Sequence, residues 1–283
     1  MSVVGAFAVS HAPGMLAWPD MADPAVRDRL FVDGFKRAGE RLRALEPDVL
    51  VLVTGEHFAN FFSVIPPFCI HVGEHTEGPI EPWLGIPRRR IPTDEALADS
   101  LLRAALAAGR DISFSHDLLL DHGSMVPLQL MGVPEQLPLV PLIVNTLVDP
   151  MPTLDSCRRL GEVIGAQLAT SHHRAVLIGA GGLSHWPGMA EAGLMSPEWD
   201  NAVLDGLVAG HRQNLWDVPS IGYETAGPGA EEIRAWAVVG AAAPAAPADV
   251  LAYEAVDAWV TGCAVVDLMG AGQRLDRAAE VSS

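Results

Sequence analysis

The chain is poor in cysteine, in basic residues and in long apolar runs, and each shortage closes off a class of protein. Its three cysteines, Cys69, Cys157 and Cys263, stand far apart with no C-x-x-C spacing. That argues against a disulfide framework and a cysteine-ligated zinc, and leaves them as reduced core residues. Lys and Arg number 18 against 35 Asp and Glu, a formal net charge of −17. Nucleic acid is bound through clustered cations, so it is not an expected partner. The one dense basic run, Arg88-Arg89-Arg90, reads as a solvated loop or as a clamp for a substrate carboxylate or a partner chain. No uncharged apolar stretch approaches the ~20 residues that span a bilayer, so a membrane is not an expected partner either. The opening MSVVGAFAVSHAP lacks a basic start and a sustained apolar core, which suits a first strand and not a signal peptide. A cytoplasmic protein is the expectation.

What is present is enough apolar material for a large core. Hydrophobic types make up 49 % of 283 residues and charged types 19 %, a balance that buries roughly three quarters of the unfolded surface in a single domain spanning 1–283. No linker-like stretch or fixed-period repeat divides it. Apolar runs rich in β-branched residues alternate with helical patterns, so the expected class is α/β: a central, mostly parallel sheet flanked by helices, with a helical C-terminal third. Strands are expected at 3–9, 48–54, 62–72, 137–144 and 175–179, several of them apolar throughout, as in strands buried on both faces. Helices are expected from Asp23-Pro24 to about Leu45, then over 94–108 with Gly109 as a left-handed stop. Four more are expected over 154–170, 197–209, 229–243 and 253–269. The proline-broken AAAPAAPA at 241–248 reads as a loop between the last two.

Four of the ten histidines follow expected strands or sit beside glycine. The C-terminal end of a strand is where an α/β sheet presents ligands and reacting groups. His11 lies in SHAPG after the first strand, and His57 in GEHF after the strand 48–54. Taken singly, each is more often a hydrogen-bonded structural residue; as a pair ending consecutive strands they point to one shared rim. His122 lies in LDHGS and His185 in GGLSHW, after the strand 175–179. The flanking glycines let a ligand approach the backbone, although a surface histidine beside a turn glycine is the plainer reading. Two histidines and one carboxylate on one face of a metal leave positions open for a bidentate substrate and O₂, the arrangement Fe(II) oxygenases use. Spacing alone does not choose the acid. Glu231 and Glu232 both stand in the first turn of a helix, where most acids simply complement the dipole.

At these residues the chain resembles the class III extradiol ring-cleavage dioxygenases, the superfamily that includes protocatechuate 4,5-dioxygenase β subunits and 2,3-dihydroxyphenylpropionate 1,2-dioxygenase. The likeness is closer to the second and runs in order through SHAPG, LVLVTGEHFANFF with PPFCIHVG, LLLDHGSMVPL, LPLVPLIVNT, LIGAGGLSHWP, PEWDNAVL and GAEEIRAWAVVGAA. It implies His11, His57 and Glu232 as metal ligands, with Glu232 preferred to Glu231 because it directly precedes Ile233-Arg234-Ala235-Trp236. It implies His122 and His185 as the acid/base pair, without saying which is which. Two departures stand out. Glu56 occupies a position that is commonly aspartate, which implies altered surroundings for His57 more than altered metal binding. The stretch between His185 and Glu232 is shorter than in the dihydroxyphenylpropionate enzymes, which bears on substrate identity.

The resemblance implies Fe(II) as cofactor, a catechol-type or aminophenol-type substrate opened with O₂ to a muconic semialdehyde, a homo-oligomer, and in some relatives a small accessory subunit. Two other readings compete. A zinc-dependent hydrolase would use the same three ligands with an activated water, but needs one general base and not a pair. A silent homologue would use the fold only to bind, and would hold neither iron nor catechols. Asn60, Phe61, Phe62 and Trp186 follow the proposed site residues and could stack on a ring, although aromatic residues after a strand are more often packing.

Overall fold

Runs such as Val49–Thr54 and Leu139–Val144 are apolar on both faces because both faces are covered, and they form the middle of one sheet. The computed structural model describes residues 3–218 and 223–275. Along the chain come β1 (Val3–Val9), a short α1 (Gly14–Ala17), and one helical run made of α2 (Pro24–Asp28), a π-helical stretch (Arg29–Lys36) and α3 (Arg37–Ala44). Then follow β2 (Val49–Thr54), β3 (Phe68–His71), β4 (His75–Gly78), β5 (Arg89–Pro92), α4 (Glu95–Ala107), β6 (Ser113–Ser115), α5 (His122–Leu130), β7 (Leu139–Val144), α6 (Leu154–Thr170) and β8 (Ala175–Ala180). The last elements are α7 (Pro197–Val208), α8 (Ile233–Ala242), β9 (Asp249–Val256) and β10 (Thr261–Asp267).

Eight strands form one sheet in the order β6-β3-β7-β2-β8-β1-β10-β9, and β4 pairs separately with β5. The central β7, β2, β8 and β1 are all parallel, while β3–β7, β1–β10 and β10–β9 pair antiparallel. Alternation sorts the core into two layers. Val49, Val51 and Val53 of β2 join the cluster under α4, α6 and α8. Leu50 and Leu52 join the cluster on the opposite face, under the run 24–44 and α5. Each fully buried side chain of this size contributes about 1.5–3 kcal/mol.

Several expectations hold with small shifts. Asp23 accepts from Ala25 N–H at 2.8 Å and starts the first helix as expected. Asp94 caps α4, and Gly109 follows it at φ 69°. Others need correction. The expected strand 62–72 shrinks to Phe68–His71, because Pro66 and Pro67 have no N–H to give a ladder. The expected helix 253–269 is instead the antiparallel pair β9–β10, so the C-terminal third is not wholly helical. There Tyr253, Val256, Thr261, Val265 and Val266 are β-branched or aromatic and pack on both faces of the sheet, which outweighs the helical look of AYEAVDAW. The 241–248 stretch accordingly joins a helix to a strand. The β4–β5 pair, whose second strand takes in Arg89 and Arg90, and α1, α5 and the short β6 lie outside the elements expected from the sequence. The three cysteines are buried and free. No helix among the described residues is long and apolar enough to cross a membrane.

Candidate active site

Parallel strands that end level place their following loops side by side. Val9 of β1 and Thr54 of β2 are both in register with Ala180 of the strand between them. His11, His57 and His185 therefore leave the same edge of the sheet. Ser10 fixes the first loop, its N–H donating to Ala264 O and its Oγ accepting from Ala264 N–H, both at 2.9 Å. The imidazoles of His11 and His57 meet edge to face with ring centroids 5.0 Å apart.

Glu232 arrives from the far end of the chain, in a 3₁₀ turn (Pro228–Glu232) that leads into α8. The turn can come close because Gly181 and Gly182 follow β8: a Cβ at Gly181 would lie 2.5 Å from Glu232 O, and one at Gly182 would lie 2.9 Å from Glu232 Oε2. Gly182 N–H donates to Glu232 Oε2. The other oxygen faces His57 Nε2 at 3.4 Å, while Oε2 also faces His11 Nε2 at 3.3 Å. Neighbouring donor atoms about 2.1 Å from a shared ion stand about 3.0–3.4 Å apart, so this spacing suits a single cation. Glu231, the competing acid, turns away to Arg234.

The hydrogen bonding of His57 fits a cation at the same place. His57 Nδ1 is 2.9 Å from Asp121 Oδ2, which also accepts the His57 backbone N–H at 3.1 Å. With Nδ1–H committed to that carboxylate, Nε2 meets Glu232 Oε1 lone pair to lone pair unless a proton or a metal lies between them. Burial works against a charged His57, yet Asp121 and Glu232 overcome it and hold the imidazole well above its ordinary 6.5. His11 goes the other way: burial lowers it and the pull of Glu232 only partly compensates. Burial alone would raise Glu232, but His11 and His57 keep it well below the carboxylate norm. Asp121 and Glu232 thus flank His57 with two carboxylates, and a divalent cation can take the place of a proton between His57 Nε2 and Glu232.

His122 opens α5 and projects into the same space, its ring centroid 4.1 Å from that of His57. Glu81 holds it: one oxygen lies 2.7 Å from Nδ1 and accepts the His122 backbone N–H at 3.2 Å. His185 Nδ1 donates to Leu183 O at 3.0 Å, and its Nε2 is 3.8 Å from Glu232 Oε1. Ring nitrogens of His11, His57 and His122 lie within 4.8 Å of one another, as do ligand atoms of Glu81, Asp121 and His122, so two further ligand sets adjoin the first. A cavity of about 300 Å³ is lined by all five residues singled out in the sequence, His11, His57, His122, His185 and Glu232.

Asp121 and Glu81 were not foreseen. Asp121 adjoins His122 in LLLDHGS, where an acid beside a histidine is a weak signal. Glu81 comes from a loop 41 positions upstream, which no local pattern ties to the site. Glu56 does not touch His57: its carboxylate accepts the N–H groups of Phe58, Asn60 and Phe61 and braces the loop that follows. Asn60 is spent on Leu119 N–H and O, Phe62 is exposed, and none of Asn60, Phe61, Phe62 and Trp186 lines the cavity. Arg88 pairs with Glu77, Arg89 with Glu135, and Arg90 with His75, so the basic run serves the hairpin and not this cavity.

Known proteins resemble this chain over most of its length. The family model described as the catalytic LigB subunit of aromatic ring-opening dioxygenase matches residues 5–264. A 2,3-dihydroxyphenylpropionate/2,3-dihydroxicinnamic acid 1,2-dioxygenase of Cupriavidus necator is 28 % identical over 306 residues, covering 91 % of this chain and 93 % of its own. The enzyme of the same description from Escherichia coli O81 (strain ED1a) is 33 % identical over 186 residues, 65 % of this chain and 57 % of its own. Among solved structures, an uncharacterized protein JW3007 from Escherichia coli K12 superposes with a TM-score of 0.59 at 15 % identity, covering 94 % of this chain and all of that one. At that identity the likeness concerns the fold alone.

Proposed function

The chain belongs to the family of the catalytic LigB subunit of aromatic ring-opening dioxygenase, and from that premise we propose that it is a non-haem Fe(II) extradiol enzyme opening catechol-type rings, with His11, His57 and Glu232 as metal ligands. The observation that carries this reading is the meeting of those three side chains at 3.3 and 3.4 Å on the rim of a cavity that also holds two further histidines. Fe(II) held by these three residues would supply the redox chemistry that lets a diol react with O₂.

The protein's own part is to hold ligands and move protons. Asp121 keeps His57 in the tautomer that presents Nε2 to the metal. His185, whose Nδ1–H is committed to Leu183 O, offers an Nε2 lone pair and takes the phenolic proton. His122, oriented by the Glu81 carboxylate at Nδ1, is the group that returns a proton to oxygen. The deep position of His11 and Glu232, 4 % and 2 % exposed, keeps bulk water from competing at the metal. Free buried cysteines suit a reducing, cytoplasmic setting.

The test is anaerobic purification, loading with Fe(II) or Zn²⁺, and an O₂ electrode with a panel of catechol, protocatechuate, gallate, 2,3-dihydroxyphenylpropionate and 2-aminophenol. Oxygen uptake restored only by Fe(II), in step with a yellow product, is the expected outcome. Hydrolysis restored by Zn²⁺ without oxygen uptake, or a chain that holds neither iron nor catechols, contradicts the reading.

A further inference from the structure

A ring substituent that enters this cavity meets apolar walls. Beyond the reacting side chains the lining consists of Ala12, Pro13, Leu147, Pro187, Trp259 and Val260, with only Ser10 and Thr261 as neutral polar side chains. Among the described residues around it there is no Lys or Arg. The two buried arginines nearest in sequence to Glu232 are engaged elsewhere. Arg234 donates to Pro152 O and pairs with Glu231, and Arg212 donates to Gly240 O, Ala246 O and Leu268 O. Among the described residues lining the cavity the only basic side chains are His11, His57, His122 and His185, two assigned above to the metal and two to proton transfer.

The rim continues the same chemistry. Trp18 and Trp83 stack with centroids 5.8 Å apart although they are 52 % and 47 % exposed, and Trp83 lies 6.2 Å from His122. Trp259 Nε1–H donates to Trp18 O at 3.2 Å, which ties the cavity wall to the tryptophan pair. Val260, in the turn between β9 and β10, has φ 52° and ψ 37°, a left-handed conformation that a β-branched residue adopts only against steric resistance. Strain retained at the wall of a site is a sign that the side chain's position there matters.

We propose that the substrate is a catechol bearing an uncharged, apolar ring substituent, and that this chain discriminates against carboxylated catechols such as the one in the names of its curated relatives. The proposal rests on the dioxygenase reading above and adds substrate class to it. A carboxylate on the substituent would lose its water and find no Lys or Arg among the described residues lining the cavity. An alkyl or aryl group of equal length would instead trade water for Trp259, Val260 and the tryptophan pair.

The Fe(II)-loaded protein is tested with 3-propylcatechol, the neutral amide of 2,3-dihydroxyphenylpropionate, and 2,3-dihydroxyphenylpropionate itself. Turnover is followed by O₂ uptake, and anaerobic binding by tryptophan fluorescence. Both neutral compounds are expected to exceed the carboxylate by at least about 10-fold in kcat/KM and in affinity. Val260→Arg, which places a cation in the wall, is expected to narrow or reverse that ratio. Cleavage with equal or better kcat/KM for the carboxylate overturns the proposal and leaves the dioxygenase reading intact. An unchanged ratio in Val260→Arg overturns the part assigned to that wall. If none of the three is bound or cleaved, both readings fall; if they bind in the expected order but no catechol is cleaved, the dioxygenase reading fails first.

Discussion

His57 stands between two carboxylates, and its neighbours set the terms on which it can bind a metal. Asp121 holds Nδ1 at 2.9 Å, and partners of this kind tune metal affinity about 10–100-fold. Asp121→Asn should therefore weaken Fe(II) binding by that factor, measured by anaerobic titration, while circular dichroism stays native. Unchanged affinity would mean that Asp121 only packs. His122 and His185 are assigned to protons and not to the metal, so His122→Ala and His185→Ala should each keep one iron per chain while turnover falls by more than ~10²-fold. Iron loss from either variant would make that histidine a ligand. At this scale the sequence is informative where a residue follows a strand, as His11, His57 and His185 do, whereas His122 has only its neighbouring glycine as a signal and opens α5. Glu232 could be separated from Glu231 only by family likeness, and the structure adds a reason, since Glu231 is turned to Arg234. Glu81 could not be found at all, because the contact that defines it crosses 41 positions.

Among the elements, the parallel strands were the legible ones. Their apolar, β-branched runs have no competing helical period, and their level ends bring three loops together. The β9–β10 pair was misread because Ala, Glu, Trp and Leu between 251 and 268 imitate a helix, whereas pairing with β1 decides the outcome. That hairpin also supports the His185 loop. Tyr253 OH of β9 donates to Asp200 Oδ2 at 2.8 Å, and Ser184 donates to Asp200 through both N–H and Oγ at 2.9 Å. Burial pushes the Asp200 carboxyl up from 3.8 to about 6, against those three donors. A group whose pKa is raised in the fold binds its proton more tightly there than in the unfolded chain. Its contribution is therefore complete below about 3.8 and is lost as pH rises through about 6. Relative to Asp200→Asn, which cannot titrate at this position, wild-type stability should fall by up to roughly 3 kcal/mol between pH 4 and pH 7, at ~1.4 kcal/mol per pKa unit. Urea midpoints across that range check it, and a constant difference between the two proteins would show that Asp200 keeps an ordinary pKa.

Taken whole, the molecule uses a buried, doubly covered sheet to bring residues 11, 57, 122, 185 and 232 to one edge. The N-terminal strand and the C-terminal hairpin are adjacent in that sheet, so the site draws on nearly the full length of the chain. The central claim is that one divalent ion is shared by two early histidines and one late glutamate. Three donor sets overlap in this space: His11 and His57 completed by Glu232, the same two completed by His122, and His122 with Glu81 and Asp121. Anaerobic Fe(II) titration of wild type, Glu232→Gln and His122→Ala, read as bound iron per chain, separates them. One tightly bound iron is expected in wild type and in His122→Ala, with the loss of at least ~10²-fold in affinity confined to Glu232→Gln. Tight binding that survives in Glu232→Gln and disappears in His122→Ala would contradict the account.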